Sequence, residues 1–116
     1  MVTLEEAKAY LRVDSSFEDS LISSLVASSE SLCMDVARLD AEEWEEIEET
    51  DGQVQTAHKI QGSTLTTGEV LRMKNSLRIA VLFTLGYLYE HREEADHHEL
   101  VLTLRSLLST IREGVV

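Results

Sequence analysis

Residues 79–89 read Ile79-Ala80-Val81-Leu82-Phe83-Thr84-Leu85-Gly86-Tyr87-Leu88-Tyr89, an uncharged stretch that is apolar nearly all round. It continues a pattern begun by Val70, Leu71 and Leu77, so one long helix is expected from about Thr67 to about His91. A helix with apolar residues on nearly every side is buried on more than one side. Gly86 stands inside it, where glycine costs about 1 kcal/mol against alanine, and this predicts a close crossing by another helix.

Toward the N-terminus the reading stays helical. Thr3-Leu4-Glu5-Glu6 has the form of a capping box, and a short helix to about Arg12 would bury Leu4, Ala7 and Leu11. Asp14-Ser15-Ser16 breaks it, and Ser15 with Glu18 suggests a second box. A second long helix from about Ser16 to Arg38 carries Phe17, Leu21, Leu25, Leu32 and Val36 on one stripe, widened by Ile22, Val26 and Cys33. Its other side is rich in serine, including Ser24 and Ser28. Such a surface is either ordinarily solvated or allows another subunit to approach closely.

Beyond the long third helix, Asp96 and Glu99 suggest another box, and a last helix from about His97 to Glu113 would end at Gly114. Its apolar set is Leu100, Val101, Leu104, Leu107, Leu108 and Ile111. The middle, residues 39–66, gives two signals. Asp40-Ala41-Glu42-Glu43 could cap a short acidic helix with Trp44 and Ile47 on one side. Asp51-Gly52 followed by Val54, Thr56, His58 and Ile60 favours a hairpin, with a loop at Gly62-Ser63-Thr64 leading to an N-cap near Thr67. The expectation is a mobile, partly ordered excursion outside the core. The fold class is therefore all-α, with about four helices, two of them long, in one elongated domain spanning residues 1–116. A helix of about 25 residues is about 37 Å long, against a radius of gyration of about 13 Å for a compact 100-residue domain.

Bulk properties agree. The 116 residues contain no proline, which favours unbroken helices. A lone cysteine, Cys33, rules out an internal disulfide and suits a reducing cytoplasm. No segment reaches the roughly 18 apolar residues of a membrane span, and the N-terminus lacks a signal core. The formal charge is −12. Eight of the 22 acids lie between Asp40 and Asp51 with no base among them, so the acidity belongs mainly to one segment. This balance argues against gripping a nucleic-acid backbone, although a negative wall can lie beside DNA and keep it from sticking.

Catalytic chemistry finds little support. Glu94-Ala95-Asp96-His97 has the Glu-x-x-His spacing of di-metal bundles, but those need two such motifs and two more carboxylates. His91, His97 and His98 are spaced so that three ligands do not share one face. Cys33 has no neighbouring base and reads as a buried small hydrophobe. There is no phosphate loop, nucleophile elbow or HExxH motif. No enzyme, cofactor or metal is expected. Arg72, Lys74 and Arg78 form the main basic group and would pair with acids of this or an adjoining subunit.

Three stretches together resemble the small head–tail connector proteins of long-tailed phages and prophages. They are Thr3 to Asp14 with Phe17-Glu18-Asp19-Ser20-Leu21-Ile22, then Ile79-Ala80-Val81-Leu82 with Tyr87-Leu88-Tyr89-Glu90-His91-Arg92-Glu93, and the closing Leu107 to Arg112. Position 91 is His where that family often has Asn. The resemblance implies a homo-oligomeric ring of about a dozen copies, closed by heterologous contacts. The ring would be made in the host bacterial cytoplasm and docked on the portal protein at the virion head–tail junction. There it would extend the DNA channel and receive a tail-completion protein. Ser24, Ser28, Arg78, Gly86, Tyr87, Tyr89, Arg92 and Arg112 are then candidate interface residues. Glu42, Glu43, Glu45, Glu46, Glu48 and Glu49 are candidates to line or overhang the channel, with DNA passing unbound. The alternative from the residues alone is a helical adaptor or regulatory subunit that binds a single protein partner.

Overall fold

The computed structural model describes residues 1–93 and 96–112. Six helices and one hairpin follow in the order α1 (Leu4–Leu11), α2 (Asp19–Ala37), α3 (Ala41–Glu49), β1 (Ala57–Ile60), β2 (Ser63–Thr66), α4 (Thr67–Glu90), α5 (His98–Leu107) and α6 (Ser109–Arg112). The molecule measures 42 × 31 × 19 Å with a radius of gyration of 14.7 Å. Its thickness is about two helix diameters.

Local chemistry sets most boundaries. Thr3 caps α1 in a reciprocal box with Glu6 (3.1 and 3.2 Å), Asp40 does so for α3 with Glu43 (2.8 and 3.0 Å), and Thr66 for α4 with Glu69 (3.2 and 3.0 Å). Each box satisfies amides that a helix start leaves without partners. Arg12 and Arg38 close α1 and α2 in the left-handed region, at φ 60 and 59. The expected box of Ser15 with Glu18 does not form. Helix α2 starts at Asp19, and Glu18 instead receives the hydroxyl of Tyr89 at 2.6 Å. Phe17 consequently falls in the turn before α2 and is 97 % exposed, not part of the buried stripe.

α2 and α4 form the centre. They run antiparallel, since Glu18 lies beside Tyr89 and Arg92 while Cys33 lies beside Thr84. Ile22, Cys33, Val36 and Ala37 meet Val70, Met73, Leu77, Ala80, Val81 and Leu85. α1 packs on both, and Leu100, Leu104, Leu108 and Ile111 of the C-terminal segment close the core. The long apolar run is less enclosed than its composition predicts. Ile79 is 64 % exposed and Phe83 39 %.

Several expectations about architecture need correction. The chain is not all-α, and it has more than four helices. The middle segment is built of regular elements, and Trp44, Ile47, Ile60 and Leu65 are all buried in the core. The turn of the hairpin is Gln61-Gly62, not Asp51-Gly52. Both residues have positive φ (54 and 78), as a two-residue type I′ hairpin demands. The left-handed Gln61 is held by its amide donating to Glu43 Oε2 (2.5 Å) and its side chain donating to the carbonyl of Ala37 (2.9 Å). Gly62-Ser63-Thr64 is thus turn and strand, with Ile60 opposite Ser63 and Ala57 opposite Thr66. The last helix divides at Leu108 into α5 and α6. Asp96 accepts from the amide of His98 (3.0 Å) instead of boxing with Glu99. Glu94 of the Glu-x-x-His motif, and the expected helix end at Glu113 and Gly114, lie outside the described residues.

Candidate functional site

The antiparallel pairing of α2 and α4 gives the slab two unlike ends. At one end, the α1–α2 turn meets the C-terminal part of α4. Tyr10, Phe17, Phe83, Tyr87 and Tyr89, five of the chain's six aromatic residues, gather there. Tyr10, Leu11, Arg12, Phe83, Gly86, Tyr87 and Tyr89 line an open groove of about 500 Å³. Gly86 permits this arrangement. A Cβ there would stand 3.2 Å from Cε2 of Tyr10, so the close approach is made by a ring of α1 rather than by a helix backbone.

The rim of this groove is braced. Glu18 accepts from Tyr89 and from Arg92 Nη1 (3.0 Å), and the guanidinium of Arg92 lies 4.9 Å over the Tyr89 ring. The hydroxyl of Tyr89 and then Arg92 hold the Glu18 carboxyl below its ordinary range, while the bonded carboxylate raises the Tyr89 hydroxyl. Tyr87 stacks on His91 with ring centroids 4.2 Å apart, and His91 Nδ1 donates to the carbonyl of Tyr87 (2.9 Å), closing the helix end. Phe17, by contrast, is almost wholly uncovered by the described residues. Apolar rings exposed this fully mark contact surfaces in many assemblies.

The opposite end carries α3 and the hairpin. The six glutamates of α3 divide by role. Glu43 braces the hairpin turn, Glu46 Oε1 lies 2.5 Å from His58 Nδ1, and Glu48 meets the Met1 amino group. Glu42, Glu45 and Glu49 have no partner among the described residues. Lys74 Nζ donates to the carbonyls of Glu48 (2.8 Å) and Thr50 (3.2 Å), capping the helix end where a cation is favoured. Beneath lies a buried polar cluster. His58 Nε2 is 3.1 Å from Thr56 Oγ1 and 3.2 Å from Thr67 Oγ1, and the Thr56 amide donates to Thr67 Oγ1 (3.1 Å). The arrangement has the composition of a carboxylate–imidazole–hydroxyl triad. Thr67 is 1 % exposed, however, and its hydroxyl lies 3.2 Å from the carbonyls of Val54 and Thr56, where its one proton is shared between them, so it anchors the hairpin.

The remaining candidates are distributed between flanks. Ser24 and Ser28 lie exposed on α2, on the side away from α4. Arg78 is directed inward. It donates to Glu6 Oε2 (2.5 Å) and to the carbonyl of Met1 (3.0 Å), fastening α1 to α4. Arg112 is half-buried at the end of α6. Cys33 is fully buried with Sγ 3.6 Å from Thr84 Oγ1; burial pushes its thiol up to about 11, only partly opposed by Thr84. Sequence reading missed Phe17, Ile79, Phe83 and Tyr10 as surface groups. Their composition marked them as apolar, and only the tertiary packing leaves them bare.

Among the described residues, no three or more His, Cys, Asp or Glu side chains are grouped to hold a metal ion. No helix among them is long and apolar enough to cross a membrane. No curated protein and no solved structure matches the chain significantly. A family model described as "Phage gp6-like head-tail connector protein" matches residues 1–112, taking in the middle segment as well as both helical parts. The chain belongs to this family of phage head–tail connector proteins.

Proposed function

We propose that the chain is a non-catalytic structural subunit of a connector ring at the virion head–tail junction. Copies made in the host bacterial cytoplasm would close into a ring of about a dozen by heterologous contacts. The ring would dock on the portal protein, extend the DNA channel and present its far side to a tail-completion protein. The observation that carries this reading is the difference between the two ends. One is aromatic and grooved, the other acidic. In a cyclic array, a subunit with unlike ends yields a ring with two unlike rims, which is what a joint between two different structures needs.

The acidic face of α3, with Glu42, Glu45 and Glu49 outward, would line or overhang the channel, where unpaired carboxylates repel passing phosphates. Glu43, Glu46 and Glu48 would contribute charge there while holding the segment in place. Native mass measurement and electron microscopy of the purified protein test the proposal. The expected result is a closed ring with α3 on its inner wall. A species that stays monomeric or dimeric at high concentration, with or without a portal ring, would turn the reading toward an adaptor of a single partner. A ring with α3 on its outer rim would overturn the channel assignment alone.

A further inference from the structure

The exposed side of α4 has no cover among the described residues. It carries Arg72, Ser76, Ile79 and Phe83, spaced by four, three and four residues, which aligns them along one edge of the helix. Ile79 and Phe83 are the bulky members, exposed by 64 % and 39 %. Helix α2 exposes Ser24, Ser28, Ser31 and Asp35, spaced by four, three and four residues. The two helices pack on each other through their buried sides, with Cys33 against Thr84, so the two edges point to opposite flanks of the slab. One flank bears knobs and the other small residues.

Resting on the ring reading above, we infer that the α4 edge of one copy seats on the α2 edge of the next. A rotation about an axis along the helices keeps α2 and α4 antiparallel between copies, as they are within one. Laid antiparallel, the spacings coincide. Arg72 then faces Asp35, Ser76 faces Ser31, Ile79 faces Ser28 and Phe83 faces Ser24. Arg72 and Asp35 make no ion pair among the described residues, and their opposite charges fix the direction and the register. Serines under Ile79 and Phe83 let the helix axes come close enough to cover both apolar side chains. Because the two edges differ and lie on opposite flanks, each copy accepts one neighbour and offers itself to another, and a contact of this type propagates until it closes.

Charge reversal tests the pairing. Arg72→Asp and Asp35→Arg are surface changes, so circular dichroism of each variant should match wild type. Each alone should weaken self-association by about tenfold or more, as like charges then meet at every contact. Mixing the two single variants should restore assembly, because an alternating ring pairs opposite charges throughout. A double variant Ser28→Cys/Ile79→Cys should oxidise to a ladder of linked copies, with Cys33 buried and silent, while either cysteine alone gives none. Wild-type rings combined with failed rescue and no ladder would overturn this interface and leave the ring reading standing. Dimers from Ile79→Cys alone would overturn it too, since α4 would then meet its own counterpart. A wild type that is monomeric at every concentration overturns the ring reading, and an absent ladder in that case removes the interface as well.

Discussion

At the scale of single residues, charge and space act at well-defined places. Arg78 and then the Thr3 amide hold the Glu6 carboxyl down, at about 2 against an ordinary 4.5. A depressed carboxylate stabilises the fold above its unfolded value and loses that contribution as pH falls, because the unfolded chain takes up the proton first. Stability should therefore drop between pH 4.5 and about 2 by more in wild type than in Glu6→Gln. Gln retains the capping-box geometry, so the difference reports the carboxylate's charge, held mainly by Arg78 and then by the Thr3 amide. With the Glu6 side chain 39 % exposed, it should amount to less than about 1 kcal/mol at low salt. Urea titrations of both proteins across this range would check it, and parallel pH profiles would refute it. Gly86 poses a spatial question. Alanine removes a helix penalty of about 1 kcal/mol, but its Cβ needs Tyr10 to yield by a few tenths of an ångström. Tyr10 is 48 % exposed and can swing outward. Gly86→Ala should accordingly raise the stability of the isolated subunit by up to about 1 kcal/mol, read as a shift in the urea midpoint, while narrowing the aromatic groove.

At the scale of elements, legibility followed the range of the forces. The boxes at Thr3 and Asp40 are contacts three residues apart, and the sequence displays them directly. Helices α1, α2 and α4 announce themselves by period. The hairpin turn was hidden because Gln61 is an unusual residue for positive φ, tolerated only through Glu43 and Ala37, 18 and 24 residues away. Phe17 was misplaced for a similar reason. Glu18, expected to box with Ser15, is drawn across the fold by Tyr89 and Arg92. The middle segment reads from sequence as an excursion outside the core because its first half favours helix and its second half strand. Yet Trp44 and Ile47 need only one face of a nine-residue helix. The hairpin is then tied to α4 by Thr67. Thr67→Val preserves shape but strips the Thr56 amide of its partner and leaves His58 Nε2 only Thr56 Oγ1, which should cost about 1–3 kcal/mol. Trp44, the only tryptophan, reports the outcome by fluorescence. If Thr67→Val unfolds at the wild-type midpoint, the cluster is not what anchors the hairpin.

At the scale of the whole molecule, the proposed ring would give the two flanks and the two ends different tasks. The edges of α2 and α4 would face further copies, whereas Phe17 and the groove side of Tyr10, Tyr87 and Tyr89 would face a different structure, with Phe83 lying where groove and edge meet. Phe17 distinguishes the two. It is 97 % exposed, lies in a turn, and takes part in no core contact, so removing it should leave stability within about 0.5 kcal/mol of wild type. It also lies outside the edge made by Arg72, Ser76, Ile79 and Phe83, so ring size should not change. Buried aromatic anchors nevertheless dominate many interfaces, where truncating one typically costs 2 kcal/mol or more, roughly thirtyfold in affinity. Phe17→Ser should therefore melt and assemble like wild type, but bind its neighbouring head or tail component about thirtyfold more weakly. Co-sedimentation of assembled variant rings with portal or tail particles would measure this. If Phe17→Ser instead breaks up the ring while attachment per subunit is unchanged, the aromatic end belongs to the lateral contact, and the division between flanks and ends does not hold.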